Sequence, residues 1–500
     1  MQRHNNMYRY ITLITTLLLL LSLTACQQLP KSTSSVSGQD TSDQVAEMNV
    51  ILTSITMDAL KNQDYQQASR SIKAMILNDD KNSWGFIQSA VVSLPEATAI
   101  ELINSTLNSF TVSNSPTQLF GISKILISFK KTEPALETIN RSIELDPNNV
   151  DARYWRARLL TVMKEYEKAE KDFKFVLAKE PDNETYSGQY ATFLQETKQF
   201  DKAQKILAQH KQTPDSLFKR IIFALQNEDR QTANELYQKL KALEVEEKAQ
   251  NHKNFLTAES AYWLEKFTDS EQFYRQVTGG DHYLDARDML SMILFDNQQY
   301  DDAIEVLHQL QNAEEKYAIK AYRLEAQIYH QQGDTDAALL TLSRSLEILP
   351  NNPELLYDRA MLYEQEGKMS QVEKDLLQII KDDPKNYEAL NALGYSLADH
   401  DLQLEKAHEY ITRALKLSPE NAAIIDSLGW VQYKLGQYQQ AEASFQKALT
   451  MDIEDLELYI HLYKTLLKLN KGEQAQQILN EAKTHFPDNE KLTALAAGKN

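Results

Sequence analysis

The sequence predicts an all-α chain, an α-solenoid of about thirteen helix pairs wound into a superhelix, and three observations carry that prediction. Prolines recur at a fixed interval. Pro147, Pro181 and Pro214 lie 34 and 33 residues apart, Pro350, Pro384 and Pro419 lie 34 and 35 apart, and Pro487 follows 68 later. Alanines keep the same phase, at Ala135, Ala169 and Ala203 and again at Ala407, Ala441 and Ala475. Within each interval, apolar residues fall at helical spacing with few β-branched clusters, so each unit reads as two amphipathic helices. Glycines in "EQEGKMSQ" and "YKLGQYQQA" mark the turn between them.

Taken from its start, the chain opens with Arg3 and Arg9 followed by an apolar stretch of 15 residues, Ile11 to Ala25. That is short for a bilayer span and suited to a secretory signal, which predicts a signal peptide over 1–25. Leu23-Thr24-Ala25-Cys26 resembles the lipobox of bacterial lipoproteins, and Cys26 is the only cysteine in 500 residues. The resemblance implies cleavage between Ala25 and Cys26 and acylation of Cys26, palmitate included. Several acyl chains, each buried CH₂ worth about 0.8 kcal/mol, make a stable anchor. In that family an aspartate after the cysteine marks retention in the inner membrane. Gln27 stands there instead, which implies the outer membrane, lipid-anchored and facing the periplasm.

Residues 26–44 then comprise the lipidated cysteine and a flexible Ser/Thr/Gln-rich tether with a reach of about 25 Å, ordered structure being expected from Ala46. An N-terminal array is predicted over 45–215, divergent helices over 216–283, a C-terminal array over 284–489, and a capping helix with tail over 490–500. The stretch "LKALEVEEKAQNHKN" (240–254) reads as either an extended helix or a hinge.

Composition bounds the partners. Without residues 1–25 the chain has 51 basic and 71 acidic residues, a balance of −20. Such a chain repels polyphosphate, so nucleic acid is excluded and a basic protein surface is favoured. No disulfide is possible with one cysteine. No phosphate loop, paired-cysteine metal spacing or nucleophile elbow is present, and "HEYIT" (408–412) has Thr where a zinc-protease motif needs a second His. The expectation is a non-enzyme with no cofactor, no metal and no small-molecule substrate.

The stretch "AIIDSLGWVQYKLGQYQQAEASFQKALTMD" (423–452) resembles the tetratricopeptide repeat (TPR), with Leu428 and Gly429 in helix A and Tyr438, Ala441, Phe445 and Ala448 in helix B. Small residues recur where helix A would cross helix B, at Ala157, Ala191, Ala326, Ala360, Gly394 and Gly429, and Phe173, Leu376 and Phe445 fill the gap to the next unit. The closing proline would end helix B. In this family the A helices line a protein-binding groove. Its positions fall here on Tyr357, Met361, Asn391, Tyr395, Asp426, Trp430, Tyr433, Ile460 and Lys464, with Tyr154 and Arg158 of "RYWRAR" on the same inner face. The lysine–asparagine clamp of chaperone-cofactor TPRs is not met.

Residues 389–438, with "NALGYSLAD" and "DSLGW", further resemble the C-terminal repeats of large TPR outer-membrane lipoproteins of proteobacteria. One member of that group binds a periplasmic carboxyl-terminal processing protease and delivers cell-wall hydrolases to it. The resemblance therefore implies an adaptor regulating proteolysis, with the protease and its substrates as protein partners. The alternatives are a pilotin-like assembly factor for type IV pilus secretins or outer-membrane complexes, and a cell-wall enzyme or binding module.

Overall fold

The computed structural model describes residues 39–496 apart from 79–80, 452–454 and 488. The expected signal peptide, Cys26 and the expected tether as far as residue 38 lie outside the described residues, as do 497–500. The described residues hold 28 α-helices, two 3-10 turns and no strand, and none of these helices is long and apolar enough to cross a membrane.

The chain divides into two compact units between Leu240 and Lys241. The first holds α1 (Gln39–Lys61), α2 (Tyr65–Leu77), α3 (Trp84–Val92), α4 (Glu96–Leu107), the single turn α5 (Phe110–Ser113), α6 (Pro116–Ser128), α7 (Thr132–Leu145), α8 (Val150–Val162) and α9 (Tyr166–Lys179). It continues through α10 (Glu184–Glu196), α11 (Phe200–Ala208), α12 (Pro214–Gln226) and most of α13 (Arg230–Ala242). The second holds α14 (Gln250–Trp263), α15 (Phe267–Arg275), α16 (Tyr283–Asp296), α17 (Tyr300–Leu310), α18 (Glu315–Gln331), α19 (Thr335–Ile348), α20 (Pro353–Gln365) and α21 (Met369–Asp382). It ends with α22 (Tyr387–Asp399), α23 (Leu404–Leu417), α24 (Ala422–Lys434), α25 (Tyr438–Leu449), α26 (Leu456–Lys468), α27 (Gly472–His485) and α28 (Glu490–Ala496). In both units the helices pack as successive antiparallel A–B pairs, each pair stacking on the next.

Three expectations shift. Helix α1 begins at Gln39, seven residues ahead of Ala46. Within 240–254 the chain leaves the helix at 243–246 before a 3-10 turn, so no extended helix runs through it. Lys253 Nζ donates to the Lys241 carbonyl at 2.9 Å and satisfies one of the groups the ended helix leaves open. Pro214 does not close a helix. It is the first residue of α12, where its missing N–H costs nothing, behind a Thr213–Ser216 capping box.

Both kinds of turn follow from local chemistry. Ahead of Pro147, Pro181, Pro350, Pro384, Pro419 and Pro487, the cap residue leaves the helical region, with ψ between 67° and 91°, because proline disfavours that region for its predecessor. Two residues past each of these prolines stands an asparagine (Asn149, Asn183, Asn352, Asn386, Asn421, Asn489). Its Oδ1 accepts the third backbone N–H of the next helix at 2.8–3.3 Å. The A-to-B turns pass through a left-handed residue, from Gln63 in the first pair to Asn470 in the last, and the α22–α23 turn passes through two, Asp401 and Gln403. The following N–H closes back on a carbonyl of the final helical turn, as in Glu165 N to Leu160 O at 2.8 Å. The pair α3–α4 has no such residue among its described turn residues.

Inside each pair the helices approach closely. A Cβ on Gly394 would lie 2.6 Å from Ile411 Cγ1 and 2.9 Å from the Ala407 carbonyl, and one on Gly429 would lie 2.5 Å from the Phe445 ring. Polar clamps join consecutive pairs. Arg156 on α8 grips Asp172 on α9 through two bonds of 2.6 and 2.8 Å and reaches back to Asn140 on α7 at 2.9 Å. In the second unit Arg359 on α20 repeats this with Asp375 on α21, at 2.7 and 2.8 Å, and Ser343 on α19 at 3.2 Å. Each bidentate pair is charge-assisted and half-sheltered, which makes it stronger than a surface ion pair. Deeper in the second unit, Glu259 accepts a hydrogen bond from the buried Tyr274 hydroxyl, and burial pushes its carboxyl pKa up.

Three substitutions test this geometry by denaturant unfolding. Gly436→Ala meets nothing within 4 Å but sits at φ +75°, so the strained backbone alone costs about 1 kcal/mol. Gly394→Ala meets backbone as well as side chain and costs more, about 2–3 kcal/mol. Glu259 binds its proton more tightly folded than unfolded, so its contribution to stability falls as pH rises above the ordinary carboxylate value of 4.5. Glu259→Gln keeps an acceptor for Tyr274, removes that loss, and leaves the protein at least as stable at neutral pH.

Candidate interaction face of the C-terminal unit

The A helices α20, α22, α24 and α26 bring most of the groove candidates together. Tyr357 and Met361 on α20 are half-buried against the core of these repeats. The Tyr357 phenol pKa is raised by burial and then by Glu388 and Asp358. On α22, Asn391 and Tyr395 are half-buried one turn apart, and the Asn391 Oδ1 is enclosed with no hydrogen-bond donor.

Around Tyr395 the next two A helices close in. Trp430 on α24 is 6% exposed and stacks on His461 of α26, centroids 4.1 Å apart, and on Tyr433 at 5.1 Å. Its indole Nε1 donates to Asp399 Oδ1 at 3.0 Å. Asp426, 8% exposed, holds His461 Nδ1 at 3.1 Å. Lys464 Nζ lies 5.7 Å from the Trp430 ring centroid, and Lys434 Nζ donates to the Asp399 carbonyl and to Asp401 Oδ2, both at 3.0 Å. The Tyr395 phenol pKa is pushed well above its ordinary value, first by burial and then by Asp399, Asp426, Glu457 and Glu364. Those carboxylates come from four successive A helices.

The predicted residues therefore separate into two sets. Tyr357, Met361, Asn391, Tyr395, Tyr433 and Lys464 keep exposed area, whereas Asp426 and Trp430 form the floor beneath them. Ile460 is buried in a separate cluster with Leu479 and Leu492. In the first unit Tyr154 is buried against Tyr186, and the Arg158 guanidinium lies 4.6 Å over Trp155, so both are engaged inside the chain. His461 and Asp399 were missed in the sequence. His461 stands 35 residues after Asp426, about one repeat on, and Asp399 one turn after Tyr395, so the repeat period itself held the signal. Also unread was the gathering of Glu364, Asp399 and His400, whose donor atoms lie within 4.8 Å of one another. Exposed carboxylates meet this way without any ion.

Comparison with known proteins decides the family. Models described as tetratricopeptide repeat match residues 138–171, 163–216, 289–353, 329–394, 402–455 and 432–498, together more than half of the chain. The chain is a tetratricopeptide repeat protein. It is 35% identical over 189 residues to a TPR repeat-containing protein of Pseudomonas aeruginosa, covering 38% of this chain and 32% of that one. It is 24% identical over 151 residues to the type IV pilus assembly protein PilF of the same organism, covering 30% of this chain and 60% of that one. The chain thus spans less than two thirds of either relative. Among solved structures, a tetratricopeptide repeat protein from Parabacteroides merdae aligns over 49% of this chain and 97% of its own, at 16% identity and TM-score 0.41. TPR folds of this kind hold protein partners, and the A-helix face is where this one offers aromatic area.

The floor role of Trp430 is testable by thermal unfolding. Trp430→Phe keeps an aromatic ring on His461 but loses the bond to Asp399, costing about 1 kcal/mol. Trp430→Ala opens a cavity and costs about 3–5 kcal/mol.

Proposed function

We propose that this TPR protein is a non-enzymatic scaffold, anchored by Cys26 to the outer membrane and facing the periplasm, that brings a carboxyl-terminal processing protease to cell-wall hydrolases. The observation that carries the reading is the half-buried aromatic face of α22 and α24, built from the stretch 389–438 that resembles the adaptor group. Aromatic side chains there offer large contact area at small entropic cost. The lipobox-like Leu23–Cys26 supports the anchor. A tethered scaffold accelerates a partner by raising its effective concentration, with no chemistry of its own.

A second reading rests on the relative named as a type IV pilus assembly protein. Here the chain would assist assembly of a pilus or outer-membrane complex, and its partners would be components of that complex.

Affinity purification of the lipidated protein from detergent-solubilised envelopes, followed by mass spectrometry, separates the two. Co-recovery of a processing protease with peptidoglycan hydrolases, lost in Tyr395→Ala, is the expected result. Recovery of secretin or pilus components instead moves the assignment to the second reading. Cys26→Ser is expected to yield unacylated protein; if it stays membrane-bound and is still cut before residue 26, the anchor assignment fails.

A further inference from the structure

Large apolar side chains are left open singly over most of this protein, but not on its first helix. Met48, Val50, Ile51, Ile55 and Met57 of α1 are all exposed, from 36% at Ile55 to 70% at Val50, whereas no other described helix exposes more than two such side chains. Repeat position explains why. Counted back from the left-handed residue of the turn, Gln63 in the first pair and Gly436 in a later one, Ile51 stands where Ile424 stands in α24. Ile424 is 2% exposed, because α24 packs against the preceding pair. Among the described residues no helix precedes α1, so the equivalent face lies open. Met48, Ile51 and Ile55 follow one another by three and four residues and make one stripe. Val50 and Met57, seven apart, make a second, with Glu47, Ser54 and Asp58 between the two. Exposed apolar side chains gathered in this way mark a contact surface.

Size and position decide what meets it. The five side chains leave about 500 Å² of apolar surface open, less than the ~800 Å² that each side brings to a stable protein complex. That is too little to hold a free partner or a second copy, and enough for a surface already held nearby, where tethering raises the effective concentration. Helix α1 is the first described element after Cys26. The 12 residues between Cys26 and Gln39 span at most about 45 Å even when fully extended. The helix is not long and apolar enough to cross a membrane. We propose that the open face of α1 lies on the lipid surface to which Cys26 is anchored, with Met48, Ile51 and Ile55 entering the boundary between headgroups and acyl chains. The proposal rests on the lipid-anchor reading given above and adds a second contact, which fixes the end of the array that meets the membrane. Glu47 and Asp58 remain at headgroup depth, where they favour zwitterionic headgroups that present an ammonium, as phosphatidylethanolamine does, over anionic ones. Since apolar burial drives the contact, salt does not weaken it.

The test uses the chain from Cys26 to Asn500, which keeps every described residue. Its single thiol is coupled to maleimide-bearing lipid in vesicles of phosphatidylethanolamine and phosphatidylcholine, which supplies the tether whether or not cells acylate Cys26. Ile51→Trp and, separately, Met48→Trp report on α1, and Leu340→Trp, 50% exposed on α19, is the control. Tryptophan emission is read with and without lipid brominated in its acyl chains, the quenching of the unsubstituted chain being subtracted. Both α1 probes are expected to be quenched at least about twofold more than the control, equally at low and high salt, and less when phosphatidylglycerol replaces part of the zwitterionic lipid. Quenching no greater than the control at both α1 positions, or stronger quenching in anionic vesicles, would overturn the proposal. So would a dimer of the uncoupled chain in sedimentation that Ile51→Ser abolishes, since a second copy then covers the face. Each of these failures leaves the anchor reading standing, which Cys26→Ser in cells decides separately. Should Cys26 prove unacylated in cells, the tether is lost and the contact falls with it.

Discussion

The closeness of the two helices within each pair is the constraint on which the rest of this protein depends. Where α22 crosses α23, Gly394 faces a carbonyl oxygen and the Ile411 side chain with no room for a methyl group, and Gly429 faces the Phe445 ring in the next pair. Ala157, Ala191 and Ala360 hold the same crossing elsewhere and are completely buried. Contact at this distance lets a large side chain of helix B fill the space above the small residue. With that space filled, helix A is left to meet the A helix of the next pair. The interaction face is a by-product of that packing: α22, α24 and α26 come side by side because their B helices are held tightly behind them.

The turns keep the pairs in phase. A proline that straightens the preceding residue, followed two positions later by an asparagine that caps the next helix, fixes both the end of one helix and the start of another within four residues. The bidentate Arg156–Asp172 and Arg359–Asp375 pairs add a polar tie between neighbouring pairs. Each arginine also reaches the preceding B helix, so a single side chain spans three helices. Where the turn chemistry weakens, as at 243–246 with no proline or glycine, the chain leaves the helix and the two compact units divide nearby.

How much was legible differs between fold and site. The proline and alanine phases identify helix pairs because those residues act locally, through φ restriction and side-chain volume, and act alike in every repeat. The same reasoning placed Pro214 at a helix end when it opens one, since the interval alone does not say whether a proline precedes or begins the next helix. For the interaction face, repeat position named the right helices but not the fate of each residue. Asp426 and Trp430 occupy groove positions in the pattern, yet they are covered by His461, which arrives from the following repeat.

By itself, the sequence determined the all-α class, the pairing of helices, the repeat period and the lipobox-like start, each of which depends on residues within one turn or one repeat of each other. The tertiary structure alone decided which carboxylates share the surroundings of Tyr395, that Glu364, Asp399 and His400 gather within 4.8 Å of one another, and that Trp430 is floor and not surface. Those outcomes depend on the angle at which one pair stacks on the next. That angle is the sum of many small packing contacts across repeats, and no single residue or spacing encodes it.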